Sequence, residues 1–123
     1  MTQRISGMLL ACLLVIGLGG VAWAHAFLDH AAPPVGSTLG APPADVRIWF
    51  TQELEPAFSG IEVTDAAGAR VDDDTPRVDD RDRTLLIIGL KNLPPGEYKV
   101  HWHVISVDTH ATEGNFTFKV TGK

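Results

Sequence analysis

The sequence predicts an all-β sandwich or barrel. Short apolar or alternating segments are separated by turn residues at intervals of roughly 8–12 residues, a spacing typical of these folds. After residue 24, no stretch repeats its apolar residues with the 3.6-residue period of a helix. No internal repeat or linker interrupts residues 25–123, so we interpret them as a single domain.

Turn residues delimit the predicted strands. The first strand ends at Pro33-Pro34, and another begins after Pro42-Pro43. We interpret Leu93-Pro94-Pro95-Gly96 as a tight turn in which Gly96 takes a positive φ. The segment that follows this turn is the longest strand candidate. The predicted strands are His25–Ala31, Val46–Thr51, Gly60–Thr64, Thr84–Leu90, Tyr98–Val107 and Glu113–Thr121.

Strand alternation assigns a face to each residue of the longest strand. Val100, Trp102 and Val104 share one side, which the aromatic and the valines identify as the core side. His101 and His103 then lie on the outer side. Two histidines at this spacing can bind a metal adventitiously, but a solvated polar face is the simpler interpretation.

Residues 1–24 are interpreted as a secretory signal peptide. Arg4 provides the positive start, an apolar run of about 14 residues follows, and Ala22-x-Ala24 supplies the small residues of a cleavage site. The run is shorter than the roughly 20 residues that span a bilayer, which disfavours the alternative of a retained anchor. Cleavage after Ala24 would make His25 the first residue of a secreted protein.

The remaining composition excludes several functions. Arg4 is the only charged residue of the first 24, so residues 25–123 carry nine Lys and Arg against 15 Asp and Glu, a formal charge of −6. This balance argues against nucleic acid as a partner, since phosphate binding needs clustered cations.

The sulfur-containing residues all lie in the predicted signal peptide. They are Met1, Met8 and Cys12. The secreted chain therefore has no thiolate or thioether, which excludes a blue-copper site and a methionine-rich copper(I) site. Any transition metal must be held by nitrogen and oxygen atoms.

Three residues together predict a copper(II) site. A free His25 would offer its α-amine and its imidazole to one ion, and Asp108-x-His110 would add a carboxylate and a second imidazole. Tetragonal coordination by nitrogen and oxygen favours copper(II). Because protons compete for these nitrogens, binding should weaken as the pH falls. Asp-x-His alone is a weak motif, and its weight comes from the placement of His25.

Two other patterns are given simpler interpretations. The acidic run from Asp72 to Asp82 lacks the ligand spacing of a calcium loop and is interleaved with arginines, so we interpret it as a solvated, partly self-compensated loop. Ser106, Asp108 and His110 are not interpreted as a hydrolase triad, because a triad needs its histidine between the other two groups.

The chain resembles the CopC family of periplasmic copper-resistance proteins, specifically its copper(II)-only type. The resemblance implies a Greek-key β-barrel of seven or more strands, related to immunoglobulin-like and cupredoxin-like sandwiches. It also implies copper(II) bound by His25, Asp108 and His110. Gln52 stands where some members have a glutamate near the copper, and Glu53 follows it. The motifs are His25-Ala26-x-Leu28, Pro33/Pro34 with Gly36, Phe50-Thr51-Gln52-Glu53-Leu54-Glu55, Leu93-Pro94-Pro95-Gly96-x-Tyr98, Trp102-x-Val104-x-Ser106-x-Asp108-x-His110 and Gly114-x-Phe116-x-Phe118.

The hypothesis that follows is a non-enzymatic periplasmic protein that binds one copper(II) per chain. As a monomer, it would buffer copper or deliver it to a membrane importer or a periplasmic copper enzyme. Two alternatives are a small oxidoreductase with a histidine-brace copper, similar to polysaccharide monooxygenases, and a metal-free immunoglobulin-like interaction module.

Overall fold

Two four-stranded sheets form the fold. The computed structural model describes residues 26–122. A 3₁₀ turn at Pro56–Phe58 is the one helical element in this range, and no helix within it is long and apolar enough to cross a membrane. The strands are β1 (Leu28–Ala32), β2 (Thr38–Leu39), β3 (Asp45–Phe50), β4 (Gly60–Thr64), β5 (Arg77–Val78), β6 (Leu85–Gly89), β7 (Gly96–Ile105) and β8 (Ala111–Val120).

The sheets are open, so the fold is a sandwich and not a closed barrel. The first sheet has the order β1-β3-β6-β5 and the second the order β2-β8-β7-β4. All pairs are antiparallel except β2 with β8. The predicted all-β class is confirmed. The structure has eight strands where about seven were predicted, and two of the eight, β2 and β5, contain only two residues each.

The long strands agree with the sequence pattern to within about three residues at each end. The predicted start of the first strand, His25, lies outside the described residues. The conformation predicted for Gly96 is wrong. Gly36 and Gly68 have positive φ angles, but Gly96 does not, and it pairs with Val120 at the start of β7. An extended backbone is what this pairing requires.

The core side of β7 is the one predicted. Val100, Trp102 and Val104 are buried between the sheets, and the Trp102 ring meets Phe50 edge-on at a centroid distance of 5.0 Å. Trp102 also lies against Gly114 on β8, where a β-carbon would come within 2.6 Å of the indole. Glycine at this position therefore leaves the space that the indole fills.

The acidic run is only partly solvated, which corrects one expectation. Asp72 is 2% exposed, and its carboxylate accepts hydrogen bonds from the backbone N–H groups of Val63 (2.7 Å) and Asp74 (2.9 Å). The guanidinium of Arg70 donates to it at 2.8 Å. Its partner is thus Arg70 and not one of the arginines interleaved with the run. A buried charge is tolerated only when it is paired and hydrogen-bonded, and Asp72 meets both conditions. Its hydrogen bond with Val63 ties the loop to β4.

Candidate metal centre

The loop between β7 and β8 carries two of the three predicted copper ligands. It spans residues 106–110 and is closed by backbone hydrogen bonds. The Ser106 N–H donates to the His110 carbonyl at 3.0 Å, and the Thr109 N–H donates to the Ser106 carbonyl at 2.8 Å. Thr109 has a positive φ of 73°, a left-handed conformation that reverses the chain.

The structure brings Asp108 and His110 together. Nδ1 of His110 lies 3.3 Å from Oδ1 of Asp108. Their side chains are 51% and 35% exposed, respectively, so both face solvent at the tip of the hairpin. Two donors bound at a right angle, each about 2.0 Å from a metal ion, would be about 2.8 Å apart. The observed separation is only a few tenths of an ångström larger. A small movement of the two side chains would therefore let both bind one ion.

Ser106 supports the aspartate from inside the fold. Its side chain is fully buried, and its hydroxyl donates a hydrogen bond to Oδ1 of Asp108. This hydrogen bond lowers the pKa of Asp108 below its usual range. Partial desolvation opposes the shift, and the contact with His110 adds to it. The carboxylate therefore stays ionised and available as an oxygen ligand.

The order of these three groups differs from that of a hydrolase triad. Asp108 lies between Ser106 and His110, since both contact its Oδ1. A triad instead places the imidazole where it can take the proton of the hydroxyl. The observed order suits a serine that positions the Asp108 carboxylate.

The chain enters the fold beside this loop. His25 lies outside the described residues, but Ala26 is fully buried and its carbonyl accepts a 2.6 Å hydrogen bond from the Thr112 hydroxyl. Phe27 forms a reciprocal pair with Thr51, donating to its hydroxyl at 3.0 Å and accepting from its N–H at 2.9 Å. Thr112 follows His110 by two residues. These roles of Thr51 and Thr112 were missed by sequence reasoning, because bonds between residues so distant in sequence leave no local pattern.

The Gln52-Glu53 segment also borders the loop. The Val107 N–H donates to the Glu53 carbonyl at 3.0 Å, and Leu54 forms an isolated bridge with Ser106. Leu54 is fully buried, whereas Glu53 is exposed and Gln52 is half-buried. The backbone of this segment thus lies alongside the loop of residues 106–110.

Within residues 26–122, no three His, Cys, Asp or Glu side chains stand close enough together to hold a metal ion. The described part of the chain therefore holds two of the predicted ligands, Asp108 and His110, and not a complete site. The third predicted ligand, His25, directly precedes the buried Ala26.

Comparison with known proteins identifies the family. Residues 28–121 match the CopC domain family. The chain belongs to the CopC family. It is 36% identical over 99 residues to protein YobA of Escherichia coli K12, a match that covers 80% of each chain. It is 32% identical over 114 residues to copper resistance protein C of Escherichia coli, covering 87% of this chain and 90% of the relative.

A solved CopC structure has the same fold. The crystal structure of CopC from Methylosinus trichosporium OB3b superimposes with a TM-score of 0.74 at 30% identity, covering 80% of this chain and 95% of the other. The predicted resemblance to the CopC family is thereby confirmed. The span matched to the family includes the whole loop that carries Asp108 and His110.

Replacing Ser106 tests its support of the carboxylate in this CopC domain. Ser106→Ala removes the hydroxyl that donates to Asp108, so we expect copper(II) affinity to fall several-fold and the free energy of unfolding to fall by about 1 kcal/mol. Competition with a copper chelator and urea unfolding measure the two effects. Thr109→Ser, which changes the same loop but leaves this hydrogen bond in place, is the control. An unchanged affinity in Ser106→Ala would show that the hydroxyl does not position the ligand.

Proposed function

We propose that this protein binds one copper(II) ion tightly in the periplasm and buffers or carries it. The ligands are the α-amine and imidazole of His25, the carboxylate of Asp108 and the imidazole of His110. The observation that carries the proposal is the 3.3 Å contact between His110 Nδ1 and Asp108 Oδ1 on the exposed hairpin tip. The similarity to copper resistance protein C supports copper as the metal.

The donor set favours copper(II) over other ions. It contains three nitrogens and one carboxylate oxygen and no sulfur, and such sets in tetragonal geometry suit copper(II). The amine and imidazole of one residue close a chelate ring on the metal. The hydrogen bond from Thr112 to the Ala26 carbonyl (2.6 Å) supports this arrangement, because it holds the residue after His25 next to the strand that follows His110.

Export would complete the site. Residues 1–24 act as a signal peptide, and cleavage after Ala24 leaves the domain at residues 25–123. The α-amine of His25 exists only after that cleavage. Copper(II) binding is therefore confined to the compartment outside the inner membrane.

The exposure of the site suits transfer of the metal. His110 is 51% exposed at the end of the sandwich, so a recipient can reach the ion without opening the core. We propose that the domain acts as a monomer without catalysis and passes copper to a membrane importer or to a periplasmic copper enzyme.

Copper(II) titration of the secreted protein tests this function. Sequencing its first residue should give His25, and electron paramagnetic resonance of the one-equivalent complex should show a tetragonal, nitrogen-rich ion. His110→Ala should lose the tight site. His30→Ala is the matched control, since His30 is also exposed and its Nδ1 lies 2.7 Å from Asp29. The proposal fails if His110→Ala binds copper as tightly as the wild type, or if His30→Ala weakens it equally.

A further inference from the structure

The outer face of the second sheet carries a histidine pair that the copper(II) site does not use. His101 and His103 both point away from the core on β7, as the strand alternation predicted. Their ring centroids are 6.5 Å apart. Neither ring fills core space, so neither histidine is explained by packing between the sheets.

A carboxylate joins this pair from the neighbouring strand. Glu113 on β8 is directly opposite His103, and its Oε2 lies 3.4 Å from Nε2 of His101. The Glu113 side chain is 73% exposed and can change rotamer freely. Two imidazoles and one carboxylate are thus neighbours on the sheet, and as they stand they are too far apart to hold one ion together.

The strand on the other side leaves room for the pair. Gly60 on β4 is opposite His103, and a β-carbon there would come within 2.5 Å of the imidazole. The missing side chain lets the His103 ring lie flat on the sheet. Beside it, both histidines line an open cleft of about 310 Å³.

The charges around the cleft favour a cation. Glu62 and Asp74 line it together with Arg70, whose guanidinium lies 2.8 Å from the buried Asp72 carboxylate and 3.2 Å from Asp74. The nearest charged group of β7 on the same face is Lys99, which is opposite Thr64 and Thr117. Counting Glu113, which lies on the opposite side of the pair on β8, the acidic groups around the two histidines outnumber the basic ones.

We propose that His101, His103 and Glu113 form a second, weaker site for a divalent transition metal. Copper(II) is the ion that this site would bind most tightly. Imidazole and carboxylate donors without sulfur suit such ions, and copper(II) binds most tightly in the divalent series. These side chains are not yet at ligand distances, since their ring centroids are 6.5 Å apart. Binding must rotate at least one exposed ring, and this reorganisation makes the site weaker than the first.

Copper(II) titration followed by calorimetry and electron paramagnetic resonance tests the second site. The secreted wild-type protein should bind two equivalents, the second more weakly and with its own nitrogen-coupled signal. The double variant His101→Ala/His103→Ala should bind only the tight equivalent. Glu113→Gln should weaken the second event several-fold and leave the first unchanged.

Two further variants separate this proposal from the first site. Lys99→Ala changes the same face of β7 and should retain both events, with the second not weakened. His110→Ala should lose the tight binding event and keep the weak one. The loss of either site can therefore be detected independently of the other. The second site is refuted if the wild type binds a single equivalent, or if the double variant still binds two while its circular dichroism spectrum and melting temperature show that it is folded.

Discussion

One residue added before His25 is expected to lower copper(II) affinity by about 100-fold or more. The extension converts the α-amine of His25 into an amide and moves the new amine away from the imidazole. Even changes outside the ligand shell cost about 10- to 100-fold in metal affinity, so the loss of a ligand and its chelate ring should exceed this range. A copper(II) titration against a competing chelator measures the effect.

The structure explains why the fold should not compensate for the extension. Ala26 is fully buried, and its carbonyl accepts a hydrogen bond from Thr112. The N–H and the carbonyl of Phe27 are both hydrogen-bonded to Thr51. The chain therefore cannot shift by one residue to present a new amine without breaking these contacts.

Two control proteins make the extension experiment decisive. Adding the same residue after Lys123 should leave the affinity unchanged. His25→Ala keeps the amine and removes only the imidazole. It should therefore retain more affinity than the same variant extended by one residue, which lacks both donors. If the extended protein binds copper(II) as tightly as the wild type, the amine is not a ligand and the proposed donor set is wrong.

Trp102→Ala is expected to lower the free energy of unfolding by about 3–5 kcal/mol, the range measured for large aromatic residues in cores. The Trp102 side chain lies between the sheets, against Phe50 on β3 and Gly114 on β8. Its removal opens a cavity that neither neighbour can fill. Gly114 has no side chain, and Phe50 is fixed in β3.

Trp49→Ala is the matched control for this substitution. Trp49 is half-buried and stacks on exposed His30 at a centroid distance of 4.4 Å, outside the core. Its loss should lower the free energy of unfolding by about 0.5–1.5 kcal/mol for the stacking. The part of its surface that is buried adds a further contribution. Urea unfolding of the metal-free proteins, followed by circular dichroism, compares them. Equal losses in the two variants would contradict the central role assigned to Trp102.

Strand positions and faces were predictable because they depend on local periodicity. The alternation along β7 predicted that Trp102 faces inward and that His101 and His103 face outward, and the structure confirms both. Gly96 was assigned wrongly because Pro-Pro-Gly is typical of turns. Pairing with Val120 holds its backbone extended instead.

The candidate site was predictable only in part. The motif Asp108-x-His110 placed two side chains on one loop, and the 3.3 Å contact agrees with that placement. The sequence indicated no role for the Ser106 hydroxyl outside a hydrolase triad, whereas the structure shows it hydrogen-bonded to the Asp108 carboxylate. The pairing of Arg70 with the buried Asp72 was missed, because the sequence pattern favoured the arginines interleaved with the acidic run as its partners, whereas Arg70 stands two residues before the run.

The sequence by itself determined the class of fold, the family and the donor atoms available to a metal, which are nitrogen and oxygen. These follow from local periodicity, from ordered motifs and from the confinement of Cys and Met to the first 12 residues. Only the tertiary structure decided which residues surround the Asp108 and His110 pair. The bond between Ala26 and Thr112 joins residues 86 positions apart, and the cleft beside His101 and His103 is formed across neighbouring strands. Such contacts depend on strand order and register, which are set by packing between the sheets and not by any local pattern.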